Sequence, residues 1–164
     1  MRLFAPDLYF KSVTAIDLQA LKQRGIRHLL LDLDNTLLPR NSSEASAEVI
    51  EWVGSLPAEG FLACLVSNNW HSHIHAVAEE IGLPIVTKAI KPFPAAFRKA
   101  LVRLDASPED TAVVGDQIFT DVLGGNILGM VTVLVVPLST SDLPHTLLLR
   151  RLERLVLAGR KPLA

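Results

Sequence analysis

Two short stretches of this 164-residue chain place acids where an apolar run ends. In Leu31-Asp32-Leu33-Asp34-Asn35-Thr36 two carboxylates stand two residues apart, and Gly115-Asp116-Gln117-Ile118-Phe119-Thr120-Asp121 carries a second pair five residues apart. Each has a plain local reading: Asp34-Asn35-Thr36 caps turn amides, and Asp121 caps a helix. If the two ends share a rim, however, the acids crowd into a partly dehydrated cleft, where mutual repulsion raises their pKa values unless a cation is present. Oxygen donors without a cysteine cluster favour Mg²⁺, which keeps several waters and completes its octahedron with substrate phosphate. Metal and a nearby lysine would hold one aspartate ionised as a nucleophile, leaving the second to donate and retrieve a proton.

Elements that would bring these residues together are visible in the hydrophobic pattern. Five apolar runs, 28–33, 61–66, 84–87, 111–115 and 131–136, are rich in Leu, Val and Ile and read as buried strands. Helical patterns at 14–24, 44–56, 72–81, 94–104 and 121–128 fill the gaps, the first opening on a Thr14-x-x-Asp17 box and stopping at Gly25. Strand and helix alternate, which predicts an α/β fold: a mainly parallel five-stranded sheet between two helical layers. Ligands of such sheets bind beyond the carboxyl ends of the strands. The polar residues follow the apolar runs, so the chemistry is expected at that rim.

Composition narrows the field. With 49% hydrophobic and 20% charged residues, the chain supplies a large apolar core and is neither disordered nor low in complexity. Its length predicts one domain over 1–164. A formal net charge of −1 leaves no broad basic surface, so nucleic acid is not an expected partner. The single cysteine, Cys64, lies in an apolar run and reads as a core thiol. Residues 1–10 do not resemble a secretory signal and no apolar window is long enough to span a bilayer, so a cytoplasmic setting is expected.

Taken in order, Asp32-x-Asp34-Asn35-Thr36, Ser67, Lys91-Pro92 and Gly115-Asp116 with Asp121 resemble the four motifs of haloacid-dehalogenase (HAD)-like phosphatases, and they span most of the chain. The resemblance implies a Mg²⁺-dependent phosphomonoester hydrolase working through an aspartyl-phosphate. It implies Asp32 as nucleophile and metal ligand, Asp34 as general acid/base and backbone-carbonyl ligand, Asp116 as a further metal ligand and Asp121 as support for the metal's water shell. Ser67, Asn68 and Lys91 would bind phosphate, with Lys91 preferred over Lys88 because Pro92 follows it. The intervals between motifs leave little material for a large cap domain, so the cleft would take a phosphate presented on a bulky body or surface. Pro6-Asp7-Leu8-Tyr9, the 12–17 segment and the two acidic motifs are similar to the YqeG-like branch of subclass IIIA, which includes phosphatidylglycerophosphate phosphatases. That likeness implies phosphatidylglycerophosphate as substrate; other phosphomonoesters (protein, nucleic-acid end, sugar or nucleotide) are the alternatives.

Rival readings remain open at this level. A receiver-like phospho-acceptor module also uses Mg²⁺, an aspartate and a lysine, but with its acids arranged differently. A silent scaffold would keep the fold without turnover. His71, His73 and His75 form an exposed helix start or border the cleft, where Asn68, Asn69 or His71 would meet the leaving group. The basic C-terminal segment 142–164, with Arg150, Arg151, Arg154, Arg160 and Lys161, forms a helix that either covers the sheet or touches the inner face of a membrane peripherally.

Overall fold

The computed structural model describes residues 2–40, 42–139, 152–153, 155–157 and 160–163. Most of the basic C-terminal segment, including Arg150, Arg151 and Arg154, therefore lies outside the described residues. Six parallel strands form one sheet: β1 (Leu8–Phe10), β2 (His28–Leu31), β3 (Leu62–Val66), β4 (Ile85–Val86), β5 (Thr111–Gly115) and β6 (Val131–Val135), in the order β1-β6-β5-β2-β3-β4. The helices are α1 (Leu18–Gln23), α2 (Ala47–Ser55), α3 (Ile74–Ile81), α4 (Pro94–Leu104) and α5 (Leu123–Leu128).

Side chains alternate across the strands, and this divides the interior into two layers. Leu29, Leu31, Ala63, Leu65, Ala112 and Val114 point to the face covered by α1, α2 and α3, against Leu21, Trp52, Val53, Val77 and Ile81. Leu30, Cys64, Val66 and Val113 point to the other face, against Phe97, Ala100 and Leu101 of α4. Burial on both faces explains why the strands read as continuous apolar runs. Phe97 is fully buried, and truncating it to Ala would cost about 3–5 kcal/mol. Gly124 lies over its ring, where any Cβ would collide. Cys64 is buried and free, and burial pushes its thiol up to about 11.

The sheet has six strands where five were expected. Strand β1 is only three residues long and flanks β6 at the edge, too short for hydrophobic alternation to reveal. What fixes it is Asp7, whose carboxylate accepts the Thr132 amide at 2.9 Å while its own amide donates to the Thr132 carbonyl at 3.0 Å. A C-terminal residue, Leu163, bridges Phe10 beyond it. The expected helix over 14–24 is also divided: Val13–Ala15 is a 3₁₀ turn, and α1 is capped by Asp17, which accepts from the Ala20 amide at 2.9 Å. Thr14 instead pairs with the Ser12 hydroxyl at 2.8 Å, so the Thr14 box does not form. The segments between β2 and β3 and between β3 and β4 each carry one helix, α2 and α3, and no inserted cap domain is present among the described residues.

Candidate active site

Strand β2 lies between β3 and β5, and the chain winds outward from it in both directions. In such a sheet the order reverses beside the first central strand, and a crevice opens at its carboxyl end. Leu31 of β2 and Val114 of β5 are register partners there, so Asp32 and Asp116 leave the sheet next to each other. The Asp32 amide still donates to the Val114 carbonyl at 2.9 Å. The backbone then turns: the Leu33 carbonyl accepts from the amides of Thr36, Leu37 and Leu38. Asn35 occupies the left-handed region at φ 66°, which asparagine tolerates. Its side-chain oxygen accepts from the Arg40 amide at 3.1 Å and the Ser139 hydroxyl at 2.6 Å, which holds the loop closed. The turn sends the Asp32 and Asp34 side chains to different partners.

Carboxylate oxygens of Asp32, Asp116 and Asp121 lie within 4.8 Å of one another, and all three residues are buried. Lys91, also buried, donates to Asp32 Oδ1 at 2.5 Å and Asp121 Oδ1 at 2.7 Å. Burial disfavours the ammonium, but Asp121 and Asp32 outweigh it and hold Lys91 charged above its usual range. One ammonium cannot neutralise this many acids. The shortfall falls on Asp121, which burial, reinforced by Asp32, lifts to about 6 against the opposing pull of Lys91. Asp34 is raised as well, first by burial and then by the charge of Asp32. Hard oxygen donors with surplus negative charge suit a divalent cation such as Mg²⁺.

Asp34 faces a separate set of groups. Ser67 donates to its Oδ2 at 3.4 Å, and the Asn69 amide nitrogen lies 3.4 Å from both of its oxygens. Asn68 accepts the Lys91 amide at 2.7 Å, tying the loop after β3 to the loop after β4. The structure thus places Lys91 at the acids, while Lys88 stands 5.3 Å over the Trp70 ring. His71 and His73 stack at 5.7 Å and, with His75, are exposed, and helix α3 begins at Ile74.

Several contacts at the site arise only in the fold. Thr36 donates to Asp32 Oδ2 at 2.9 Å and lies 3.4 Å from Asp116 Oδ1, a bridge that only the fold creates. Gly115 is required because the Asp121 carboxylate occupies the space its side chain would fill. Asp121 itself sits in a single π turn, Ile118–Val122, and does not act as the N-cap of α5. Glu153 is buried and accepts the Ile118 amide at 2.7 Å, so an acid within the basic tail anchors this turn.

A three-layer parallel fold with a lysine-bridged aspartate crevice at its switch point defines a class, and the relatives agree with it. Residues 89–140 match the HAD-hydrolase-like family. The chain is 38% identical over 160 residues to the Bacillus subtilis (strain 168) protein named "Probable phosphatase YqeG", covering 98% of this chain and 93% of that one. The chain belongs to the haloacid-dehalogenase-like phosphatases. Within them it aligns with YqeG over nearly its whole length. It is also 30% identical over 161 residues to the Chlamydomonas reinhardtii "Phosphatidylglycerophosphate phosphatase 1, chloroplastic", covering 92% of this chain and 60% of that longer protein. Among solved structures, a predicted HAD-like family hydrolase from Porphyromonas gingivalis superposes with a TM-score of 0.58 at 16% identity, over 76% of this chain and 98% of that one. The strand order excludes a receiver-like module, whose sheet runs 2-1-3-4-5.

Proposed function

We propose that this phosphatase is Mg²⁺-dependent and hydrolyses a lipid-borne phosphomonoester, phosphatidylglycerophosphate, through an aspartyl-phosphate on Asp32. The observation that carries the reading is Lys91 held between Asp32 and Asp121 beside Asp116, an arrangement that neutralises part of the charge where a phosphate would arrive. Asp32 attacks phosphorus in line. Asp34, on its separate set of partners, protonates the departing alkoxide and then takes a proton from the water that hydrolyses the intermediate. Lys91 and the Ser67 hydroxyl stabilise the equatorial phosphoryl oxygens, and Asn68 holds Lys91 in place through its backbone amide. Asp32 and Asp116, with the Asp34 carbonyl, would hold the cation. Both Asp121 oxygens already accept protein donors, from Lys91 on one side and Gln117 and Thr120 on the other, which suits it to the surrounding water shell. Mg²⁺, when bound, would supply Lewis-acid stabilisation of the phosphoryl charge.

The lipid substrate is supported by the Chlamydomonas relative's name and by the absence of an inserted cap among the described residues, which leaves the crevice open to a phosphate presented on a surface. Phosphate release from phosphatidylglycerophosphate in mixed micelles, with and without Mg²⁺, tests it beside sugar, nucleotide and peptide phosphates. Asp32→Asn is expected to reduce turnover to background. Asp34→Asn should lower it by about 10²–10⁴-fold, less for an activated leaving group that needs no proton. Activity surviving in Asp32→Asn rejects the nucleophile; failure on the lipid alone rejects only the substrate.

A further inference from the structure

The loops after β3 and β4, residues 67–73 and 87–93, flank the acidic crevice and are joined to each other. The Lys88 amide donates to the Asn69 carbonyl at 3.4 Å, the Ala89 amide to Ser67 at 3.1 Å, and the Lys91 amide to Asn68. On this joined rim three large apolar side chains face outward: Trp70 at 63% exposure, Ile90 at 55% and Phe93 at 65%. The Phe93 amide donates to the Ile90 carbonyl at 3.1 Å, so one turn presents both. Neither loop contains an Asp or Glu, and Lys88 stands over the Trp70 ring.

Ile90 adds an argument from the backbone. Its φ is 51°, a left-handed conformation that a β-branched residue resists because Cβ crowds the carbonyl. The resulting side chain projects outward with more than half its surface in water, so packing within the described fold does not compensate the strain. Strained residues of this kind gather where a contact is made with something else. A tryptophan with a lysine beside it, two further apolar tips and no acid match a bilayer interface: rings settle at headgroup level and ammonium groups meet lipid phosphates.

We propose that Trp70, Ile90 and Phe93, with Lys88 among them, seat the crevice rim on an anionic lipid bilayer. The inference rests on the reading that the substrate phosphate is carried by a lipid, and it assigns the contact to the active-site rim in place of the basic C-terminal segment. Docked this way, Asp32 and Lys91 open toward the headgroups, and the bilayer supplies the enclosure that a cap would give.

The chain has two tryptophans, and Trp52 is buried in the core, its indole N–H without a partner among the described residues. Trp52→Phe in the full chain therefore leaves Trp70 as the single reporter. Titration with phosphatidylcholine vesicles containing phosphatidylglycerol, free of any phosphomonoester, should shift its emission to the blue, and phosphatidylcholine alone should do so more weakly. Ile90→Ser and Phe93→Ser should each weaken vesicle affinity about tenfold. Sedimentation with vesicles while Trp70 emission stays unmoved, serine variants that bind as the parent does, or an absence of vesicle binding would each overturn the proposal. Phosphate release from phosphatidylglycerophosphate, measured beside soluble p-nitrophenyl phosphate, reports on the proposed function separately, so turnover of the soluble ester but not of the lipid, with an intact Trp70 shift, sinks the lipid substrate and leaves docking standing.

Discussion

Strands β2 and β5 carry an acidic cluster at one end and a single acid at the other, and the two ends are built on opposite principles. At the amino ends, where His28 and Thr111 are register partners, Asp110 accepts from the His28 imidazole at 3.1 Å, the Ser107 amide at 3.1 Å and the Thr111 hydroxyl at 3.2 Å. Burial raises Asp110, but these donors together outweigh it and hold its carboxyl below the ordinary range. At the carboxyl ends, Asp32, Asp116 and Asp121 share Lys91 and Thr36, and burial with mutual repulsion lifts Asp121. One acid with many donors is structural; many acids with few donors hold charge in reserve for a ligand. The same two strands thus supply stability at one rim and reactivity at the other.

The largest test of that contrast removes the shared cation. Lys91→Met leaves buried carboxylates uncompensated and should destabilise the fold by about 3–5 kcal/mol, measured by urea denaturation. Millimolar Mg²⁺ should restore part of that loss if the acids bind it; a denaturation midpoint indifferent to Mg²⁺ in both proteins would count against the metal assignment. Next in size, Gly115→Ala forces a methyl into the Asp121 carboxylate and should cost about 1–3 kcal/mol, with turnover falling because Lys91 shifts with its partner. Unchanged kcat and melting temperature would show that the Asp121–Lys91 pair tolerates displacement.

The smallest effect belongs to the opposite rim. Asp110→Ala should lower stability by about 0.5–1 kcal/mol at neutral pH and leave catalysis alone, since Asp110 is partly exposed. Because its folded pKa is depressed below 3.8, its contribution is present above that value and is lost as pH falls through the folded pKa. The melting temperatures of wild type and Asp110→Ala should therefore separate at pH 7 and converge in acid. A constant difference across that range would refute Asp110's role.

How much of this was legible beforehand follows from range. Asp32, Asp34, Asp116 and Asp121 stand out because acids at the ends of greasy runs conflict with burial, a conflict visible within a few residues. Most strands and all of α4 were equally readable, since period and caps are local signals. Strand β1 was not, because its three residues depend on Asp7 meeting Thr132, 125 positions away. Thr36 looked like a turn residue until Asp116 was beside it, and nothing within a few residues of Glu153 marks it as the acceptor for the Ile118 amide, 35 positions away. Sequence shows where a residue is anomalous; only the fold shows which distant group answers the anomaly.

The π turn at Ile118–Val122 sets where Asp121 points. Each turn there holds more residues than an α-helix would, so the angular phase of Asp121 about the axis depends on a residue count as much as on side-chain type. Deleting one residue would let the segment relax to ordinary winding and rotate the carboxylate by roughly 100°, away from Lys91, with every acid still in the chain. In this part of the molecule, length is a coordinate.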